Sequence, residues 1–137
     1  MDDPALATLL LPFENGDLAW PERGPVPFLR ARMGAPLAGG ALAERARATL
    51  ACRQSWRPDV ERLEAAGYAV GTDEPEREPG GAPLVLLLAP RQRLEARALL
   101  ARAVAAATPG GLVVVALAHL EGARSLEGDL DALIGPL

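Results

Sequence analysis

The sequence predicts an α/β domain built on a mostly parallel sheet, and three observations carry that prediction. Leu84 to Leu88 is a short, unbroken apolar run, the form a strand takes when both of its faces are covered. From Arg91 to Ala107 the pattern turns helical, with Ala96, Leu99, Leu100, Ala103 and Ala107 on one face and Arg91, Glu95 and Arg102 on the other. Thr108-Pro109-Gly110-Gly111 stops that helix, and Leu112 to Ala118 is a second apolar run. Strand, helix, strand at this spacing is a βαβ unit with a right-handed crossover. Two strands buried on both faces require covering layers from the rest of the chain.

The remaining elements follow in order. Asp3-Pro4 reads as a helix start, with Asp as the cap and Pro at the first helical position. A short helix over Ala5 to Leu11 ends at Pro12. Residues 12–25 form a Pro/Gly-rich loop that holds Phe13, Trp20 and Asn15. Val26 to Ala31 is a strand weakened by Pro27, and Gly34 to Gly40 is a loop. Leu42 to Arg47 is too short to establish a helix. Thr49 to Trp56 is a second strand. Pro58 opens a helix through Ala66, closed by Gly67, and Tyr68 to Val70 is a third strand. Residues 71–82 are acidic and rich in Pro and Gly, a solvated loop. After the βαβ unit, Ser125 caps a helix from Leu126 to Ile134. The order matches the first five strands of a Rossmann-like sheet with helices on both faces, three layers in all, lacking a final hairpin.

A chain of 137 residues forms one domain, 1–137, and half of its residues are hydrophobic. The net charge of −4 argues against a free-standing nucleic-acid binder. All 14 basic residues are arginine. Cys52 is the only cysteine, so no internal disulfide forms. The acidic N-terminus is unlike a signal peptide, and no apolar run reaches membrane-spanning length. These features predict a soluble, cytoplasmic domain. The charge is unevenly spread, with a net +5 over residues 22–57 and a net −5 over residues 58–80.

Several stretches together resemble one family: LLLPFENGDLAWP (9–21), QSWRPDVERLEAAGYAV (54–70), LAPRQRLEARALLARA (88–103), TPGGLVVV (108–115) and EGARSLEGDL (121–130). They are similar to the N-terminal half of the class I SAM-dependent 16S rRNA guanine-N2 methyltransferases. That resemblance implies a methyltransferase-type fold, and a longer protein with two tandem methyltransferase-like domains, of which the C-terminal one binds SAM and performs the chemistry. His119 is a departure, because the family leads one to expect an asparagine there.

The residues themselves argue against a cofactor site. SAM binding needs a glycine-rich turn after the first strand, where the ligand approaches the backbone closely. Here Arg30, Ala31, Arg32 and Met33 precede Gly34, the one residue that fits. An acidic residue should end the second strand to accept from the ribose hydroxyls, but Arg53-Gln54-Ser55 supplies none. The family's Asn-Pro-Pro-aromatic catalytic motif is absent, since Asn15 is the sole asparagine and Gly16 follows it. The sequence therefore predicts no catalytic, cofactor or metal residues in this chain, with SAM the cofactor of the full-length family. Cys52, lone in an apolar strand, reads as core packing rather than a nucleophile. His119 reads as a turn residue before a general base, and the acids at 73, 74, 76 and 78 as a solvated loop before a calcium site.

Two surfaces are candidates for contact. Arg30, Arg32, Arg53 and Arg57, with Trp20, Phe28 and Trp56 in or beside their segment, suggest phosphate pairing and base stacking with 16S rRNA; the plainer alternative is a solvated face with both tryptophans in the core. Gly122, Arg124 and Ser125 form a turn that either contacts a neighbouring domain or only caps the last helix. The readings that remain are a non-catalytic domain serving a C-terminal catalytic domain in cis or in trans, a small stand-alone divergent SAM-dependent methyltransferase, and a structural protein-interaction domain. An open edge strand would also admit a second copy of the chain.

Overall fold

The computed structural model describes residues 3–71 and 80–117. His119, the turn at Gly122, Arg124 and Ser125, the helix expected over 126–134, the absence of a final hairpin and most of the acidic loop lie outside the described residues.

Five strands form one parallel sheet: β1 (Val26–Leu29), β2 (Leu50–Arg53), β3 (Ala69–Gly71), β4 (Ala82–Leu88) and β5 (Ala107–Ala116). Their order is β3-β2-β1-β4-β5, so the chain works outward from β1 in one direction and then returns to work outward in the other. This is the Rossmann-like sheet expected from the sequence. Pro27 is tolerated in the central strand because pairing of β1 with β4 begins only at Phe28.

Alternation along the strands sends side chains into two cores. Leu84, Leu86 and Leu88 of β4 join Phe28, Cys52 and the apolar face of α1 (Pro4–Glu14) on one face of the sheet. Val85 and Leu87 join Leu29 and the buried face of α4 (Arg93–Ala106) on the other. That helix face is Ala96, Leu99, Leu100, Ala103 and Ala106, as its period predicts except at the last position. Ala107 has already turned extended and opens β5.

Beyond shifts of one or two residues at other element ends, four features differ from the sequence reading. First, α1 does not stop before Pro12 but continues to Glu14. Proline cannot donate into the helix, yet Asn15 N–H donates to Leu11 O at 3.0 Å and Leu18 N–H to Pro12 O at 2.9 Å, and burial of Phe13 holds the last turn down. Second, a true helix, α2 (Ala41–Thr49), joins β1 to β2. Parallel neighbours require such a crossover, but its buried residues are only Ala43, Ala46 and Thr49, which give little apolar periodicity to read. Third, β2 ends at Arg53, three residues short of Trp56. Fourth, Thr108-Pro109-Gly110-Gly111 belongs to β5 rather than to a helix-ending turn. The pairing jumps from Ala82–Ala107 to Leu84–Leu112, so these residues bulge out of the ladder. Gly110 takes φ +82, and a Cβ on Gly111 would lie 3.1 Å from Ala82 O. The two glycines serve the bulge.

The helix α3 (Arg57–Ala65) links β2 to β3 and ends at Gly67, φ +94, as expected. No helix among the described residues is long and apolar enough to cross a membrane.

Candidate functional site

In an open parallel α/β sheet, ligands bind beyond the carboxyl ends of the strands, where the strand order reverses. Here that point lies between β1 and β4, and its walls are the turn after β1 and the end of β4. Arg30 begins the turn. It follows β1 directly and is the only non-glycine residue with positive φ among the described residues, at +57. That region is open to glycine and costs other residues about 1–2 kcal/mol. The Arg30 side chain reaches across the reversal point, and its Nη1 donates to Leu88 O at the end of β4, 3.1 Å away. A bulky cation thus occupies the bend in which a glycine-rich turn would let a cofactor approach the backbone.

The end of β2 is equally occupied. Gln54 Nε2 donates to Ala31 O at 2.8 Å, which ties the end of β2 to the turn after β1. Its Oε1 accepts from the backbone N–H of Ser55 at 3.0 Å and of Trp56 at 2.9 Å. The side chain standing where a ribose acceptor would be is therefore engaged at both ends by its own backbone. Gly34, the one glycine that fits the cofactor pattern, serves α1 instead, since a Cβ there would lie 2.5 Å from Leu6 Cδ2. The residues present do not fit S-adenosylmethionine. Nor do the described residues include any group of three His, Cys, Asp or Glu able to hold a metal ion.

Arg30 supports a direct test of this geometry. Arg30→Gly and Arg30→Ala both remove the bond to Leu88, but only alanine keeps a Cβ in the left-handed region. The glycine variant is expected to be more stable than the alanine variant by about 1 kcal/mol, measured by urea unfolding. Equal stabilities would mean that the backbone at residue 30 is not left-handed.

The other arginines singled out in the sequence are distributed around the same end of the sheet. Arg32 pairs with Asp3, the α1 cap, with Nε 2.9 Å from Oδ2 and Nη2 donating to Oδ1 at 3.2 Å. Arg53 lies across β3, its Nη1 close to the site a Cβ on Gly71 would take. Arg57 pairs with Glu61 at 3.3 Å on the exposed face of α3. The aromatics divide: Phe28 and Trp20 are core residues, whereas Trp56 stands 65% exposed.

Arg47 is a structural residue that sequence reasoning did not single out. Its Nε donates to Ala66 O at 2.8 Å and its Nη2 to Ala38 O at 2.9 Å, and its guanidinium lies 5.5 Å from the Tyr68 ring centroid. The available signal was its place in the last turn of α2, where a cation faces the helix C-terminus. Cys52 is fully buried, and burial pushes its thiol up to about 12 against the weaker opposing effect of Arg53. A thiol held neutral in this way is not a nucleophile.

The sheet order, the crossovers and the reversal point together define an open Rossmann-like α/β domain whose crevice is filled by its own side chains. Among solved structures, the chain is similar to a T. Thermophilus 16S rRNA N2 G1207 methyltransferase (RsmC) in complex with AdoMet and guanosine, with a TM-score of 0.70 and 23% sequence identity. The match covers 98% of this chain and 34% of that one, so the chain spans about a third of that protein's length. No protein-family model and no curated protein matches the sequence.

Proposed function

We propose that this chain is a methyltransferase-fold domain that transfers no methyl group itself and serves a catalytic methyltransferase domain acting on ribosomal RNA, by supporting that domain or by positioning the RNA. The observation that carries the reading is the occupation of the reversal point by Arg30, bonded to Leu88 O, with Gln54 committed to Ala31 and to its own turn. The similarity to an rRNA methyltransferase over nearly the whole chain supports the choice of substrate class. The catalytic domain is a partner in cis or in trans, and Gly122, Arg124 and Ser125 are the residues proposed to contact it. Arg30, Arg32, Arg53 and Arg57 are those proposed to face RNA. Of these, Arg57 is the most exposed, whereas Arg30 and Arg32 also hold the fold together.

Calorimetric titration with S-adenosylmethionine is expected to give no saturable heat. Saturable binding, with the donor lodged beside Arg30 through Gly34 in a soaked crystal, would overturn the reading in favour of a stand-alone enzyme.

A further inference from the structure

Trp56 is large, aromatic and exposed, and it stands on an ordered backbone. Its N–H donates to Gln54 Oε1 at 2.9 Å, and its carbonyl accepts from Asp59 N–H and Val60 N–H, both at 3.0 Å. The backbone is thus fixed on both sides, at the first turn of α3, while the indole faces solvent. Contact with a flat partner then requires ordering of the indole's own torsions but not of its backbone. The other tryptophan, Trp20, is 7% exposed and donates to Thr49 Oγ1, so the exposure of Trp56 is not a general property of tryptophan in this fold.

The surroundings select the partner. The turns beyond the carboxyl ends of β1, β2 and β4 bring Arg30, Arg32, Arg57, Arg91 and Arg93 to one end of the sheet, with Arg53 closing β2. Arg57, next to Trp56, is 83% exposed and meets Glu61, itself 64% exposed, at 3.3 Å. Exposed pairs of this kind contribute little and exchange readily for another anion. An exposed aromatic face on an ordered backbone, with an exposed arginine beside it, is a combination that holds unpaired bases by stacking and their phosphates by charge.

Resting on the RNA-positioning reading above, we infer that Trp56 is a stacking platform for an unpaired base of single-stranded RNA, with Arg57 engaging the adjacent phosphate. The experiment titrates the full chain with an eight-nucleotide oligoadenylate, and separately with a blunt GC-rich RNA duplex that stays paired at the assay temperature, following tryptophan emission and affinity. The single strand is expected to quench the exposed tryptophan. Trp56→Ala is expected to weaken single-strand binding by about five-fold or more, whereas Trp56→Phe, which keeps a stacking face, recovers most of that loss. The duplex is expected to show no dependence on Trp56. Far-ultraviolet circular dichroism confirms that each variant folds.

Three results would overturn the inference. If Trp56→Ala binds the single strand as the wild type does, with affinity still falling as salt rises, the platform is wrong and the RNA-positioning reading survives. If the wild type binds neither RNA, both fail. If Trp56→Ala leaves RNA binding intact but disrupts self-association or capture of a methyltransferase catalytic domain, the exposed indole is a protein contact.

Discussion

Replacing Trp20 with alanine is expected to cost the domain about 3–5 kcal/mol, a large share of the 5–15 kcal/mol that typically holds such a domain folded. Trp20 lies in the loop after α1, and its ring meets Phe13 edge-on, with centroids 5.2 Å apart and planes at 79°. Its indole N–H donates to Thr49 Oγ1 at 2.8 Å, and the Thr49 hydroxyl donates in turn to Arg45 O at 2.7 Å. One side chain thereby joins the end of α1, the long loop and the last turn of α2, immediately before β2 begins. Alanine would leave a cavity beneath that loop and strip Thr49 of its donor.

Two further variants divide the effect. Trp20→Phe keeps much of the packing and loses the N–H. Thr49→Val keeps the shape near the indole and leaves a buried N–H without an acceptor, at a cost of about 1–3 kcal/mol. Urea unfolding of the three proteins should rank Trp20→Ala as the least stable by a clear margin. A Trp20→Ala protein within 1 kcal/mol of the wild type would show that the loop is not anchored through this residue.

Trp20 also shows how far the sequence could be read. Its proximity to an arginine-rich segment made it a candidate for stacking on RNA, alongside Phe28 and Trp56. Only Trp56 is exposed: Phe28 is buried in the central strand, and the fate of Trp20 depends on partners that pattern does not reveal, Phe13 across a turn and Thr49, 29 residues away. The β4–α4–β5 unit was legible because its apolar period changes at Pro90 and again at Leu112, although the strand that Leu112 belongs to already begins at Ala107. The start of α1 was legible because Asp3 caps it, accepting from Leu6 N–H. Its end was not, because the local rule against internal proline is overridden by burial of Phe13 in the tertiary core. The crossover α2 was hidden by its small buried face.

The closed crevice was half legible. The sequence shows that long side chains stand where glycines are wanted and that no acid ends β2. It cannot show that Arg30 bonds to Leu88 O, 58 residues away, or Gln54 to Ala31 O, 23 residues away, since backbone acceptors carry no side-chain signature. A misfit with a cofactor is therefore readable from residue type, while the use to which the misfit residues are put emerges only from the fold.

The second large effect is expected at alkaline pH, from Cys52. Its thiol lies in the centre of β2, fully buried, and desolvation raises it from about 9 to about 12 in the native state, with Arg53 opposing weakly. Below pH 9 the thiol is protonated in both folded and unfolded chains, so its stabilising share is fully present. Above pH 9 the unfolded chain releases the proton while the native chain retains it, and stability falls by about 1.4 kcal/mol per pH unit until the native thiol ionises near pH 12. Tyr68 acts in the same direction above its own ordinary value of 10, because burial raises it despite Arg47 against its ring. Cys52→Ala removes the thiol and with it the part of Tyr68's rise that comes from Cys52, so comparing the two proteins reads the cysteine together with that coupling. Between pH 8 and pH 10.5 the wild type should lose about 2 kcal/mol more than Cys52→Ala in urea unfolding. The variant starts from a lower stability, because it leaves a small cavity beside Phe28, and the two curves should converge as the pH rises. Parallel curves over that range would mean that the native thiol titrates as a solvent-exposed one does, and that the centre of β2 is open to water.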